Sequence, residues 1–150
     1  WVGLLDEGTY RRHVLPVVKE IVARVQADSG KPVIYFPNGG SNLLHAASEV
    51  HADAWGVDWT LPLSQATERL GPSAVVQGNL DPSVLFASRE ELGTGIDSVL
   101  SEGLAAKSHI FNLGHGIHRT TDPDQVAFLI DRVHASSEQL YASELSGVDQ

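Results

Sequence analysis

The feature that most constrains this chain is a change of hydrophobic period that recurs four times along it. Short apolar, β-branched runs, which read as strands, give way to segments with apolar residues every three to four positions, which read as helices. A helix comes first, over about residues 7–28, with Tyr10, Val14, Val17, Ile21 and Val25 in one stripe. Pro16 either kinks it or opens a second helix at its first turn, and Ser29-Gly30 ends it. Pro32–Phe36 then reads as a buried strand, followed by Ser41 as the N-cap of a helix carrying Leu43, Leu44, Ala47 and Val50. Ala54–Val57 is a second strand, and its helix, with Leu63, Ala66 and Leu70, stops at Gly71-Pro72. Ala74–Val76 is a third. Ser88 and Glu91 spell a capping box for a helix that buries Leu92, Ile96, Val99 and Leu100 and is weakened by Gly93 and Gly95. His109–Phe111 is the fourth strand, and Asp122-Pro123 opens a last helix with Val126, Leu129, Ile130 and Val133 inward.

Strands that alternate with helices, with no linker between them, imply a parallel sheet with right-handed crossovers. An open doubly wound sheet fits, and so does half of a (β/α)₈ barrel. A whole barrel typically needs about 250 residues, and the chain has 150. The leading helix lacks a strand of its own, which favours the half-barrel. Residues 1–150 are therefore expected to form one partial barrel domain, with the polar stretch 143–150 a frayed tail. The chain has no Met and opens on the apolar Trp1-Val2-Gly3-Leu4-Leu5, so a fragment of a longer protein is expected.

Composition narrows the functions. Ten Lys and Arg against nineteen Asp and Glu leave a formal charge of -9, which argues against nonspecific binding of nucleic acid or an anionic membrane. The absence of Cys removes disulfides, thiolate metal sites and thiol nucleophiles, and suits a cytoplasmic protein. No apolar run approaches the roughly 20 residues of a membrane span.

In both architectures ligands meet the loops at the carboxyl ends of the strands. Pro37-Asn38-Gly39-Gly40-Ser41 could present backbone N–H groups to an anion, but it lacks phosphate-loop spacing and reads foremost as a turn. Asp58 follows the second strand and is either a buried carboxylate or a turn residue that packs Trp59 on the core. Asp81-Pro82 reads as a helix cap, while Gly78-Asn79 marks a place of close backbone approach. The sharpest candidate is His115, between two glycines at the end of the fourth strand. There its imidazole could donate to an anion or exchange a proton near neutral pH. His45 and His51 lack zinc-site spacing, and no G-x-S-x-G elbow supports a hydrolase. His13, His45 and His134 read as surface or boundary residues.

Three of these segments, Gly56-Val57-Asp58-Trp59-Thr60, Gln77–Pro82 and Phe111–Ile117, together resemble the uroporphyrinogen decarboxylase family in order and spacing. Trp1-Val2-Gly3 and Tyr10…Leu15-Pro16 are similar to it too, so the likeness runs to about His134. The resemblance implies an α/β fold, the carboxyl-terminal half of a (β/α)₈ barrel, in a cytoplasmic homodimer. It implies removal of carbon dioxide from the four acetate side chains of the tetrapyrrole uroporphyrinogen, giving coproporphyrinogen, without metal or organic cofactor. The substrate's own protonated pyrrole takes the electrons for which other decarboxylases use a cofactor. His115 matches the family's substrate-contacting His. The family's paired Arg, its Asp and its Tyr belong to the amino-terminal half, so these 150 residues alone are expected to be inactive. Where many relatives carry a Lys, this chain has Pro37-Asn38, which leaves the role of that loop open. Arg119 is the one basic residue near an expected strand end. Two other functions remain: a non-catalytic half-barrel that pairs with a second copy, and a corrinoid-linked methyltransferase-like barrel, whose thiol-activating members use zinc held by His and Cys.

Overall fold

The computed structural model describes residues 1–147, and for 141–147 the backbone alone. Four strands, β1 (Ile34–Tyr35), β2 (Ala54–Gly56), β3 (Val75–Leu80) and β4 (Ser108–Leu113), form one wholly parallel sheet in the order β1-β2-β3-β4. Between and around them lie α1 (Glu7–Thr9), α2 (Leu15–Ser29), α3 (Leu44–Ala47), α4 (Leu63–Leu70), α5 (Arg89–Gly103) and α6 (Pro123–Gly147). The strand order steps in one direction without the reversal of a doubly wound sheet, as successive units of a barrel do. The half-barrel expectation therefore stands over the open sheet.

Strand register assigns the two sheet faces. Trp55, Val76 and His109 are cross-strand neighbours on one face, and Gly56, Gln77 and Ile110 on the other. The first face meets the helices and is closed by three apolar clusters in chain order. Tyr10, Leu15 and Val22 pack with Leu43, Ala46 and Val50. Leu44 and Val57 join Leu63, Ala66 and Val76. Leu80 and Leu85 join Leu92, Ile96, Leu100 and Leu129. On the second face Ile110 remains 44% exposed, and Ile34 and Phe36 are exposed as well. Pro32–Phe36 is thus not the strand buried on both sides that its continuous apolar run predicts. It is a two-residue edge strand with one open face.

The leading helix departs from its predicted stripe. Residues Tyr10–Val14 form a π-helical turn, which places Leu15-Pro16 at the start of α2. Such a turn holds an extra residue and rotates the helix beyond it by about 100°. The buried line is consequently Tyr10, Leu15 and Val22, whereas Val17, Ile21 and Val25 face outward. Tyr10 is fully buried, with its hydroxyl 3.1 Å from that of Tyr35, and burial pushes its phenol pKa up.

Other local signals perform as written. Ser88 Oγ accepts from the Glu91 amide while the Glu91 carboxylate accepts from the Ser88 amide, closing the capping box. Asp81 caps Ser83, and Asp122 caps Asp124. Ser41 does not cap. It is buried, its hydroxyl accepts from Thr60, and the helical stretch begins instead after Gly40. Helix α6 continues to Gly147, beyond Ser143, and residues 148–150 of the expected tail lie outside the described residues.

Candidate functional site

All four loops selected by the strand-end rule gather at the carboxyl edge of the sheet, around the open face. A cavity of about 270 Å³ sits there, lined by Phe36, Gly56, Gln77, Asn112 and His115 among others. Gly56 is required by the close packing of Phe36, since a Cβ there would lie 2.8 Å from that ring. A second, apolar cleft of about 490 Å³ runs beside it between Trp59, Phe86, Ile117 and His118, with His115 common to both.

His115 is exposed and stands where the two cavities meet. Its ring lies 6.0 Å from that of Trp1 and 5.9 Å, edge to face, from that of Trp59. Such contacts orient an imidazole without using its ring nitrogens, which stay free to form hydrogen bonds. Gly114 holds the loop in place, donating its amide to the Leu80 carbonyl at 2.8 Å. A Cβ on Gly114 would meet the Trp59 backbone nitrogen at 2.4 Å. The Gly before His115 is thus a matter of packing.

Asp58 takes the turn reading in part. It is buried, and Oδ1 accepts from the Thr60 amide at 2.9 Å and from the Thr60 hydroxyl. Its other oxygen is buried without a hydrogen-bond partner among the described residues. Trp59, expected on the core, is instead part-exposed beside His115, because the turn directs it into the cleft. Asn79 is buried, and its amide nitrogen donates to the carbonyls of Asp58 and Leu61 at 2.9 and 2.6 Å. Gly78 fits against Val57, whose carbonyl oxygen would lie 2.6 Å from a Cβ.

The Pro37–Ser41 loop does not form an anion cradle. The amides of Asn38 and Gly40 are spent on the carbonyls of Phe36 and Pro37, and Gly3 packs directly over Gly39. Arg119 is exposed in the turn beyond β4, and Arg69 donates to the Ser41 carbonyl at 2.8 Å. His13, His45 and His134 are exposed on helices, as expected. Among the described residues no cluster of His, Asp and Glu has the arrangement of a metal site. Sequence reasoning missed Trp1, Phe36, Gln77 and Asn112 as site residues. Gln77 and Asn112 could have been found by extending β3 and β4 to their carboxyl ends, whereas nothing in the sequence pairs Trp1 with His115.

Comparison with known proteins adds three findings. The family described as uroporphyrinogen decarboxylase (URO-D) matches residues 1–136. The chain is 44% identical over 137 residues to the uroporphyrinogen decarboxylase of Streptomyces coelicolor, covering 91% of this chain and 38% of that protein. With that of Salinispora tropica it shares 46% over 134 residues, covering 89% and 36%. It thus spans under two-fifths of the length of these relatives. A methyltransferase from Methanosarcina mazei superposes with a TM-score of 0.74 over 93% of this chain and 39% of its own, at 15% identity, a likeness of fold alone.

Proposed function

The chain belongs to the uroporphyrinogen decarboxylase family, and on that premise we propose that it is the carboxyl-terminal half of a barrel that converts uroporphyrinogen to coproporphyrinogen. The observation that carries the reading is His115, held between two tryptophans where both cavities open, at the carboxyl edge of a parallel sheet. At each acetate arm the bond from the side-chain carbon to the carboxylate breaks. Its electron pair enters a pyrrole already protonated on a ring carbon, and carbon dioxide leaves. A proton added to the side-chain carbon then yields a methyl group, and the ring carbon gives up its proton to restore the pyrrole. The protein's share is to hold a polyanion, stabilise the pyrrole cation and move protons. The role assigned to His115 is contact with the substrate, its ring N–H toward an anionic arm.

The chain's acidic balance fits this division. Arg69 and Arg119 do not line the cavity beside Gln77 and His115, so the groups that balance the substrate's charge are assigned to the other half of the barrel. The reading includes a homodimer in the cytoplasm and a reaction that needs no metal or organic cofactor. Replacing His115 by Ala in a full-length protein carrying this chain should lower coproporphyrinogen formation by about a hundredfold or more without changing the fold. Activity that survives within a few-fold removes the assignment.

The exposed Val17, Ile21 and Val25 and the open-face Ile34 and Ile110 support a second reading, a non-catalytic half-barrel that pairs with its own copy. Light scattering on the 150-residue chain separates the two: a stable, well-folded monomer counts against self-pairing. The methyltransferase likeness, at 15% identity, lends no support to methyl transfer.

A further inference from the structure

The three loop segments at the carboxyl edge are fastened to one another by specific atoms, and the fastening ends at His115. It begins at Asn79 on β3, whose buried amide nitrogen donates to the carbonyls of Asp58 and Leu61 in the loop after β2. Within that loop Asp58 clamps Thr60 through its amide and its hydroxyl. Trp59 lies inside both clamps. Its backbone is packed from the other side by Gly114, too closely to admit a Cβ, and its ring meets the His115 ring edge to face at 5.9 Å.

We propose that Asn79 is a positioning residue: by bridging the Asp58 and Leu61 carbonyls it fixes Trp59, and through Trp59 it sets the direction of the His115 imidazole. The chemistry of the side chain supports this. A neutral amide brings two N–H donors to two carbonyls, whereas Asp at the same shape would set acceptors against acceptors. A shorter apolar side chain would leave two carbonyls unpaired in a buried place. The proposal rests on His115 contacting substrate, so its test needs a readout besides turnover.

The experiment uses a full-length protein carrying this chain with Asn79→Asp, Trp59→Leu and, as a purely structural control, Ile96→Val in the covered core. Proton NMR of the His115 ring reports the ring-current field of Trp59, and steady-state assays report kcat and KM separately. Trp59→Leu should carry the His115 ring resonances toward their free-imidazole positions and lower kcat by about tenfold to a hundredfold. Asn79→Asp should move both in the same direction, while Ile96→Val lowers the melting temperature and moves neither. Trp59 is part-exposed, so its variant stays decisive if Asn79→Asp does not fold. His115 resonances and kcat that stay at parental values in Trp59→Leu overturn the proposal. So does Asn79→Asp moving them no further than Ile96→Val. If His115→Ala leaves turnover nearly intact while Trp59→Leu still displaces the resonances, the substrate role of His115 falls and the positioning stands.

Discussion

The two faces of the sheet are made by the same strands one residue apart, and they do opposite work. On the covered face Val76 and its neighbours are sealed under helices, and nearly every atom there serves packing. On the open face Gly56, Gln77, Ile110 and Asn112 present a mixed surface that leads to His115. The packed core and the cavity lining are therefore separated in space while interleaved in sequence. A strand register slip of a single residue would exchange them.

That separation can be broken by experiment. The largest effect is expected from Leu92→Ala in the covered core, where the side chain is fully buried. Denaturant unfolding should show a loss of about 2–5 kcal/mol, with kcat of the folded fraction retained. A specific loss of kcat would show that the faces are coupled. Gly114→Ala sits where the faces meet, and its Cβ would strike the Trp59 backbone. A loss of about 1–3 kcal/mol together with a fall in activity is expected, and a change in stability alone would separate Trp59 from the site. A smaller effect depends on pH. His109 is part-buried against Gly103, donates to the Gly78 carbonyl at 2.7 Å, and has its pKa lowered from 6.5 by burial. As pH falls below that value the unfolded chain takes up a proton that the folded ring resists, so stability should drop. His109→Gln should flatten that dependence. The carboxylates with lowered pKa values, such as Asp53 and Asp97, act only at more acidic pH. The smallest effect belongs to the Asp97–Arg132 pair that ties α5 to α6. Both partners are more than one-third exposed, so Arg132→Ala, which leaves Asp97 accepting from Ser136, should change stability least of all in denaturant unfolding.

Much of the architecture was legible because its signals are local. The capping box at Ser88, the Asp caps and the alternation of periods each act over a few residues, and the structure keeps them. The π-turn at Tyr10–Val14 was not legible, since an extra residue in one turn leaves no mark on composition and only shifts the phase of the turns after it. Ser41 illustrates tertiary override, its hydroxyl accepting a bond from Thr60 on the next loop rather than capping a helix. At the site, the place of His115 after the fourth strand could be read from the sequence, but not the packing of Gly114 on the Trp59 backbone. Trp59 could not, because the turn that aims it depends on Asp58, Thr60 and the distant Asn79 together.

The covered core is divided into three clusters, each made largely from neighbouring units of the chain. Such a molecule resembles a linear array more than a single nucleus, with cohesion passed from each unit to the next. An array can begin to fold at any of its units. Trp55 packs against the first two clusters and Val99 against the last two, so a shared side chain bridges each boundary. A substitution at either bridging residue would therefore loosen two units at once.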